Sequence, residues 1–320
     1  MSATSAEAIG AEPIASLSEK PIGQWGLAWR RLRRHRLAMV GLYTLVIVVV
    51  ASLAAEWIAP YSYEEIDLNL SYAPFLSPGE PGQPLHYLGT DKLGRDIASR
   101  LLFAGRISLG VALTVTVLVV VIGTVIGAAA GSFGGAVDTV LMRLTDIVLT
   151  LPFLPMLLIL SSSLRQFEQL RQLLGSNLSV VIIIFVLVVF NWTTEARLVR
   201  GSILSLRNLD FIAASRALGA GNGRIIFQHL VPNSLAPIIV AATLGFGGVI
   251  ISESALSFLG FGVMPPVPTW GNMLNEARNS PLEYLFVQAL SPGFCIFVTV
   301  LAINFIGDGL RDALDPRLKL

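Results

Sequence analysis

The segment Val180-Val-Ile-Ile-Ile-Phe-Val-Leu-Val-Val-Phe190 is an unbroken run of apolar side chains inside a longer uncharged stretch, residues 173–194. A helix needs about 20 apolar residues to cross roughly 30 Å of hydrocarbon. Membrane strands are shorter and alternate apolar with polar side chains, which this run does not do. The segment is therefore predicted to be a membrane-spanning helix.

Five further uncharged stretches have the length of a spanning helix. They are residues 37–55, 107–137, 147–164, 230–252 and 284–307. Only 13% of the 320 residues are charged and 54% are hydrophobic, whereas a soluble domain carries roughly 25% charged residues. The sequence thus predicts an all-α, polytopic membrane protein with six transmembrane helices and excludes a soluble globule.

The composition also restricts the kinds of site. The single cysteine, Cys295, excludes a disulfide framework and a multi-cysteine metal site. The three histidines, His35, His86 and His229, are far apart in the sequence, so we expect no metal site from them. The net charge of +1 argues against nucleic acid as a partner.

The distribution of Lys and Arg predicts the orientation. With the N-terminus inside, 15 of the 22 basic residues fall in cytoplasmic segments, and the densest arginine group directly precedes the first span. We therefore expect a cytoplasmic N-terminal segment 1–36 and a transmembrane domain 37–320, with both termini in the cytoplasm. The domain would include an outer loop, residues 56–106, and a cytoplasmic loop, residues 195–229. The polar leader is longer than that of a signal peptide, so the first helix should be retained.

The outer loop contains the polar segment Leu88-Gly-Thr-Asp-Lys-Leu-Gly-Arg-Asp96. Asp91 and Asp96 are good caps for a following helix, and Arg95 can pair with either carboxylate. The segment is therefore predicted to precede a helix that begins near Asp96 and continues into the second span. Two interpretations remain open: a rigid capped turn at the membrane surface, or a docking surface for an external partner.

The cytoplasmic loop is predicted to contain a short helix. Asp210 is a good N-cap, residues 211–218 suffice for about two helical turns, and Gly219 supplies a left-handed stop. Such a helix is too short to be stable alone. Its exposed apolar side chains are expected to be Phe211, Ile212 and Leu218.

The small residues of this helix indicate what it contacts. They are Ala213, Ala214 and Ser215. Small side chains make a poor lipid-facing stripe but allow close approach to a protein surface. We therefore expect the helix to bind in a groove of another protein rather than to lie on lipid.

In this loop the sequence resembles the cytoplasmic EAA loop of permease subunits from binding-protein-dependent ABC importers. Ala214, Gly219 and Pro232 match positions of that motif. The positions that depart from it are Ala213, Ser215, His229 and Val231. Further blocks resemble the dipeptide and oligopeptide permeases of the C type, in the same order along the chain. They are residues 88–96, 105–109, 134–146, 256–273 and 307–316.

The resemblance implies the type I ABC importer permease fold, in the inner membrane, and a subunit that forms half of a pathway for di- or oligopeptides. Nickel complexes, glutathione or another small solute remain alternatives, since close relatives carry them. The implied partners are a homologous B-type permease subunit, two ATPase subunits, an extracytoplasmic solute-binding protein and membrane lipid. ATP and Mg would bind to the ATPase subunits, because this chain has no Gly-x4-Gly-Lys-Ser/Thr motif. The chain would be a transporter subunit and not an enzyme.

The same resemblance assigns candidate roles to residues. The ATPase-coupling candidates are Asp210, Phe211, Ile212, Ala213, Ala214, Ser215, Arg216, Leu218 and Gly219. The candidates for an outer gate or for contact with the binding protein are Asp91, Arg95, Asp96 and Trp270.

Three residues are pathway candidates because of their own chemistry. Pro152 and Pro155 should bend the third span and free backbone carbonyls, which suits either a cavity wall or a kinked packing helix. Glu253, near the outer end of the fifth span, either meets a peptide amine or a partner arginine, or reaches water as a helix-end carboxylate. In the second span, Gly123, Gly127 and Gly131 recur every four residues and permit a close helix crossing, within this subunit or against its partner.

Two other function classes fit the sequence less well. A secondary carrier usually has internal repeats and charged residues within its spans, whereas the six predicted spans are uncharged and show no repeat. An intramembrane enzyme is disfavoured because the sequence contains no His-Glu-x-x-His or Gly-x-Ser-Gly motif.

Overall fold

The computed structural model describes residues 24–79 and 81–315, most of which are helical. The helices are α1 Gln24–Arg34, α2 Arg36–Leu53, α3 Ala55–Ile58, α4 Ile97–Phe133, α5 Gly135–Thr150, α6 Phe153–Arg165, α7 Glu168–Leu174, α8 Leu178–Leu206, α9 Asp210–Ala217, α10 Asn222–Ile225, α11 Val231–Asn233, α12 Leu235–Phe258, α13 Trp270–Ala277 and α14 Leu282–Leu314. The other elements are the 3-10 turns Leu68–Leu70 and Gly175–Asn177, the π-helical turn Ile226–Leu230, and an antiparallel ribbon of β1 Ser77–Pro78 and β2 Leu85–His86. Most of the predicted N-terminal segment, residues 1–23, and the last residues, 316–320, lie outside the described residues.

The helices α2, α4, α8, α12 and α14 are each long and apolar enough to cross a membrane. Each overlaps one of the predicted stretches, because a long apolar run satisfies its backbone in hydrocarbon only as a helix. The predicted limits were displaced from the helix ends, since α4 already begins at Ile97 and ends at Phe133, and α8 runs from Leu178 to Leu206. Charged residues that we assigned to loops therefore belong to helices, while the loop bounds 56–106 and 195–229 relative to the membrane stay predictions.

The third predicted span, residues 147–164, is not one continuous helix. Helices α5 and α6 meet at a bend of 90°. Pro152 stands at this break as the N-cap of α6, and Leu151 before it is extended, as proline requires of its predecessor. The bend that we predicted from Pro152 is confirmed, and the prediction of one continuous helix over residues 147–164 is wrong.

The bent pair nevertheless carries the chain back across the bundle. A Cβ added at Gly123 would lie 2.6 Å from the Cβ of Glu195, and one at Gly131 would lie 2.8 Å from the Cβ of Ile203. Helices α4 and α8 therefore run in the same direction, and α5 with α6 must return between them. With the bent pair counted as one span, the described residues contain six candidate membrane spans. The glycine spacing of α4 serves packing within this subunit.

The two ends of the bundle have different characters. The end that carries residues 59–96 and α13 is named here the outer end, and the opposite end, with α1 and α9, the inner end. At the inner end, α1 packs on the last turns of α14 through Ala28, Leu32 and Ala313. Arg31 also donates a hydrogen bond to the carbonyl of Asp315 at 3.0 Å. The first and last described helices thus meet at the same end of the molecule.

Candidate coupling helix, outer network and solute pathway

The predicted coupling helix is α9, at the inner end of the bundle. It ends at Ala217, and Gly219 follows in the left-handed conformation with φ of +84°. The left-handed stop predicted at Gly219 is therefore present. The N-cap is Leu209 rather than Asp210, so that prediction is wrong by one residue. The Asp210 carboxylate lies instead in the first turn, where it stabilises the positive end of the helix dipole.

One side of α9 is attached to the protein and the other is open. Ile212 is fully buried, in an apolar cluster with Val199 and Ile203 of α8. Phe211 is 43% exposed and Leu218 is 89% exposed. The prediction that Ile212 is exposed is wrong, because this side chain is buried in that apolar cluster.

A histidine that we did not predict supports α9 from the segment that follows it. Nε2 of His229 lies 3.3 Å from Oγ of Ser215, and its ring meets the ring of Phe211 edge to face at 6.3 Å between centroids. Ser215 and His229 are both positions where the sequence departs from the EAA pattern. The sequence therefore contained a signal for the contact between these two side chains, because both positions depart from the motif together. The open face of α9 also carries Ala213, Ala214 and Arg216.

At the outer end, Asp96 caps α4 as predicted. Its Oδ2 accepts from the N–H of Ser99 at 2.7 Å, and its Oδ1 lies 3.0 Å from Nδ1 of His86 on β2. The turn before it needs a glycine at position 94, where φ is +75° and a Cβ would lie 1.7 Å from the carbonyl oxygen of Asp67. The polar segment 88–96 is therefore a tight turn, and its own residues Gly94 and Asp96 are the ones that its conformation requires.

Asp91 caps this turn rather than the helix. Its Oδ1 accepts from the N–H groups of Leu93 at 2.8 Å and Arg95 at 3.1 Å. Its Oδ2 pairs with Nε of Arg95 at 2.7 Å and with Nη1 of Arg100 at 2.5 Å. The predicted pairing of Arg95 is confirmed for Asp91. Because Asp91, Arg95 and Asp96 are all buried, their side chains offer no open surface to a docked protein, and a gate or docking role for them stays a prediction.

The cluster also contains a residue that we did not predict, Glu276 of α13. Its Oε2 accepts from Nη2 of Arg95 at 2.9 Å and from Nη1 of Arg100 at 2.6 Å. Burial alone would raise the pKa of Glu276, but the hydrogen bonds and charges of Arg100 and Arg95 lower that pKa below its ordinary value. We name Asp91, Arg95, Arg100 and Glu276 the outer network. No local pattern could reveal Glu276, which is 176 residues from Arg100.

Trp270 joins α13 to α4 in the same region. Its backbone N–H donates to Oγ of Ser108 at 3.2 Å, and its indole N–H donates to the carbonyl of Leu101 at 3.2 Å. The side chain is buried. Trp270 therefore attaches α13 to α4 inside this subunit. Its role at an outer gate stays a prediction.

Glu253 lies inside α12 and is fully buried. Its carboxylate accepts from Oγ of Ser257 at 2.8 Å and from Oγ of Ser108 at 3.2 Å. The interpretation of Glu253 as a helix-end carboxylate that reaches water is wrong, because α12 continues for another turn and α4 covers the side chain. Hydroxyl donors from this chain already bind it, and a pathway role stays a prediction.

A second buried carboxylate, Glu195 of α8, was missed by the sequence analysis. Glu195 is 6% exposed, and its Oε1 has no hydrogen-bond partner among the described residues. It lies against Gly123 of α4. The prediction that the spans are free of charge is therefore wrong for α8 and α12, since both helices continue past the charge at which we ended them.

The bend between α5 and α6 is the other pathway candidate. Pro152 and Pro155 are exposed on the surface of the chain. The ring of Phe153 meets that of Phe190 edge to face at 6.1 Å, which places the bend beside α8. Backbone groups freed at a bend need protein or a water-filled cavity when they lie at membrane depth. The location suits a pathway wall, and that role stays a prediction.

The described residues provide no candidate metal centre. In residues 24–79 and 81–315, no group of three or more His, Cys, Asp or Glu side chains is arranged to hold a metal ion.

Comparison with known proteins identifies the family to which this helical bundle belongs. Residues 123–320 match the family described as binding-protein-dependent transport system inner membrane component, and residues 23–81 match the N-terminal TM domain of oligopeptide transport permease C. The chain is 38% identical over 303 residues to the dipeptide transport system permease protein DppC of Alkalihalophilus pseudofirmus, covering 93% of this chain and 91% of the relative. It is 39% identical over 298 residues to the glutathione transport system permease protein GsiD of Escherichia coli, covering 92% of this chain and 91% of the relative.

These relatives are membrane transport permeases and not enzymes, and they match nearly the whole chain rather than one motif. The helical bundle and its EAA-like helix agree with that match. The chain therefore belongs to the family of binding-protein-dependent transport system inner membrane components, as a permease of the oligopeptide C type.

Proposed function

We propose that this chain forms half of the solute pathway of an ATP-driven importer for di- or oligopeptides. Two separate ATPase subunits would bind ATP and Mg, a homologous B-type permease would form the other half, and an extracytoplasmic binding protein would deliver the peptide. The names of the relatives support the substrate class, since one belongs to a dipeptide system and the other to a glutathione system. Glutathione, itself a short peptide, is the second candidate substrate, and nickel complexes are a further alternative.

The arrangement of α9 is the observation that carries this proposal. A helix of eight residues is unstable alone, and here it is attached through the buried Ile212, in an apolar cluster that includes α8 residues, and through the contact of Ser215 with His229. Its open face presents Phe211 and Leu218 beside small residues, a pattern that fits a groove in another protein. A permease without a P-loop needs a separate ATPase, and α9 is the part of the inner end best suited to contact it.

The packing of α9 also supports a way of transmitting ATPase movement. Ile212 lies in the same buried apolar cluster as Val199 and Ile203 of α8, and α8 packs tightly on α4 through glycine contacts. A displacement of α9 would therefore move α8 and α4 together as one body. The bend between α5 and α6 lies beside α8, through the contact of Phe153 with Phe190, and would be carried by the same movement.

The orientation proposed for the chain places both termini in the cytoplasm. The arginines before α2 and the coupling helix lie at the same end of the bundle as the end of α14. This agrees with the excess of Lys and Arg in the segments that we assign to the cytoplasm.

The proposal is tested by introducing a charge on the open face of α9. Ala214→Glu should abolish uptake of a labelled dipeptide and the co-purification of ATPase subunits, while the amount of membrane-inserted chain stays normal. Leu173→Glu is the control, because Leu173 is 79% exposed on α7, away from α9. Normal uptake by the Ala214 variant would contradict the coupling role. Competition of dipeptide uptake by glutathione or nickel complexes then separates the candidate substrates.

A further inference from the structure

Helix α1, at the inner end of the bundle, has two different sides. Ala28 and Leu32 lie on the side that packs against the last turns of α14. The opposite side is basic and open, because residues three and four positions apart share one face of a helix. Its exposed residues are Trp29, Arg30, Arg33 and Arg34. We name these four residues the arginine face.

The charges of the arginine face are not neutralised by the part of the chain that the structure describes. Within residues 24–79 and 81–315, none of Arg30, Arg33 and Arg34 forms an ion pair with a carboxylate. The inner half of α8 differs, because its arginines pair with aspartates of α5. Like charges three or four residues apart destabilise a helix. An anion bound to this face would therefore relieve the repulsion within α1.

Trp29 shows what kind of anionic surface fits the arginine face. Its ring is 48% exposed, and the guanidinium of Arg33 lies 5.4 Å from the ring centroid. Tryptophan is enriched at the level of the lipid head groups, where one part of its ring is in an apolar environment and another is near water. A basic helix face with an exposed tryptophan is typical of helices that lie at a membrane surface. The composition of the face thus favours lipid over an acidic protein surface.

The position of α1 along the chain places the arginine face at the membrane surface. One residue, His35, separates α1 from α2, which begins at Arg36 and is long and apolar enough to span a membrane. The first turns of α2 present Leu37 and Val40, which are 53% and 55% exposed. The lipid hydrocarbon should therefore begin directly after α1. This leaves the arginine face at the depth of the lipid phosphates.

Contacts with α14 fix the orientation of α1. A Cβ added at Gly309 of α14 would lie 2.3 Å from the Cβ of Ala38 and 3.0 Å from Cδ1 of Leu32. Nε2 of His35 lies 3.7 Å from Oδ2 of Asp312. The corner between α1 and α2 therefore packs closely around the end of α14. Helix α1 could not turn its arginines away from the membrane surface without breaking these contacts.

We propose that the arginine face binds the head groups of anionic phospholipids at the inner end of the bundle. The ligand is a phosphate diester in a lipid of net negative charge, because guanidinium groups bind phosphate oxygens by paired, charge-assisted hydrogen bonds. A bound lipid would hold α1 at the membrane surface and, through Leu32 and His35, the inner end of α14. The inference goes beyond the proposed function and does not depend on the solute.

The test uses the assembled complex in nanodiscs with equal amounts of phosphatidylglycerol and phosphatidylcholine. A fluorophore is attached through Gly26→Cys, an exposed position one turn before Arg30, with Cys295→Ala removing the native thiol. Bromine atoms on the chains of one lipid or the other quench a fluorophore that they approach. Brominated phosphatidylglycerol should quench more strongly by about twofold or more, because each basic residue near the surface favours anionic lipid.

Matched variants identify the residues that cause the preference. Arg30→Gln with Arg33→Gln should bring the ratio of the two quenching effects close to one. Arg30→Lys with Arg33→Lys should retain most of the preference, since the positive charges remain. The control, Arg171→Gln with Arg278→Gln, removes two exposed arginines far from α1 and should leave the ratio unchanged. The glutamine variant of α1 keeps three of the five arginines before the first span, so its orientation should not change.

The wild-type preference should also shrink as salt is added, because exposed charges are screened. Equal quenching by the two lipids in the wild type would overturn the proposal, as would an unchanged ratio in the glutamine variant of α1. Quenching by neither lipid would show that a protein covers the arginine face and would overturn it as well. The fluorescence measurement involves no transport, so these failures leave the proposed function intact, which the Ala214→Glu variant tests separately.

Discussion

Nη1 of Arg100 lies 2.6 Å from Oε2 of Glu276, a residue 176 positions later in the chain. This contact closes the outer network, because the same nitrogen also pairs with Asp91 at 2.5 Å. It ties the start of α4 to α13 across the outer end of the bundle. Removing the Glu276 charge leaves Arg95 and Arg100 buried with one carboxylate between them.

We therefore expect Glu276→Gln to lower the free energy of unfolding by about 3 kcal/mol, the usual loss when one partner of a buried pair is removed. The change is measured as the shift of the thermal unfolding midpoint of the purified complex. The matched control is Glu56→Gln, because Glu56 pairs with Arg106 at an exposed position and surface pairs contribute little. Equal shifts in the two variants would refute the outer network as a stabilising element.

The same carboxylate predicts a pH dependence. The pKa of Glu276 is lowered in the folded protein from its ordinary value of 4.5. Its stabilising contribution is therefore fully present above about pH 4.5 and is lost as the pH falls through the lowered folded pKa. The difference in unfolding midpoint between the wild type and Glu276→Gln should be constant above that pH and narrow below it. If the difference between the two unfolding midpoints grew on acidification, the pKa of Glu276 would be raised in the folded protein and not lowered.

The close crossing of α4 and α8 predicts a selective glycine effect. A Cβ at Gly123 would lie 2.6 Å from the Cβ of Glu195, so Gly123→Ala should separate the helices and cost about 1–3 kcal/mol of unfolding free energy. Gly110 on the same helix has nothing within 4 Å of its added Cβ, and Gly110→Ala should be neutral or slightly stabilising. Unfolding of both variants in detergent checks this, and similar destabilisation in the two would argue against the crossing.

Ile212 of α9 is buried and Leu218, just after the helix, is open, so we expect different effects from substituting these two apolar residues. Ile212→Ala removes the buried anchor, so it should release the helix and expose the chain near Gly219 to protease, besides weakening ATPase association. Leu218→Ala changes only an open side chain and should weaken ATPase association without added cleavage. Limited proteolysis and co-purification distinguish the two, and equal cleavage of both variants would show that Ile212 is not the anchor.

The proposed orientation predicts the sidedness of cysteine labelling. With Cys295 replaced by Ala, a cysteine at Lys92, beside Asp91, should react with an impermeant maleimide from outside the cell. A cysteine at Gly221, beside Ala220, should react only after the membrane is opened, because both positions are exposed but at opposite ends of the bundle. The reverse labelling pattern would invert the topology.

The spans and caps were predictable because they depend on local chemistry. The thickness of hydrocarbon sets the length of an apolar run, so residues 173–194 identify α8 without knowledge of any neighbour. A carboxylate before a helix satisfies its first N–H groups, so Asp96 was predicted as the cap of α4. Charge, in contrast, was a poor marker of where a spanning helix ends, since Glu195 and Glu253 lie within helices and inside the protein.

The sequence alone determined that this chain is a helical, polytopic membrane protein with a turn at 88–96 and a short helix stopped by Gly219, because each of these follows from neighbouring residues. Only the tertiary structure decided that Ile212 is buried and that Glu276 joins Arg95 and Arg100. It likewise placed the hydroxyl donors of Ser108 and Ser257 around Glu253. The physical reason is that burial and ion pairing depend on which helix surfaces meet, and those surfaces come from segments that are far apart in the chain.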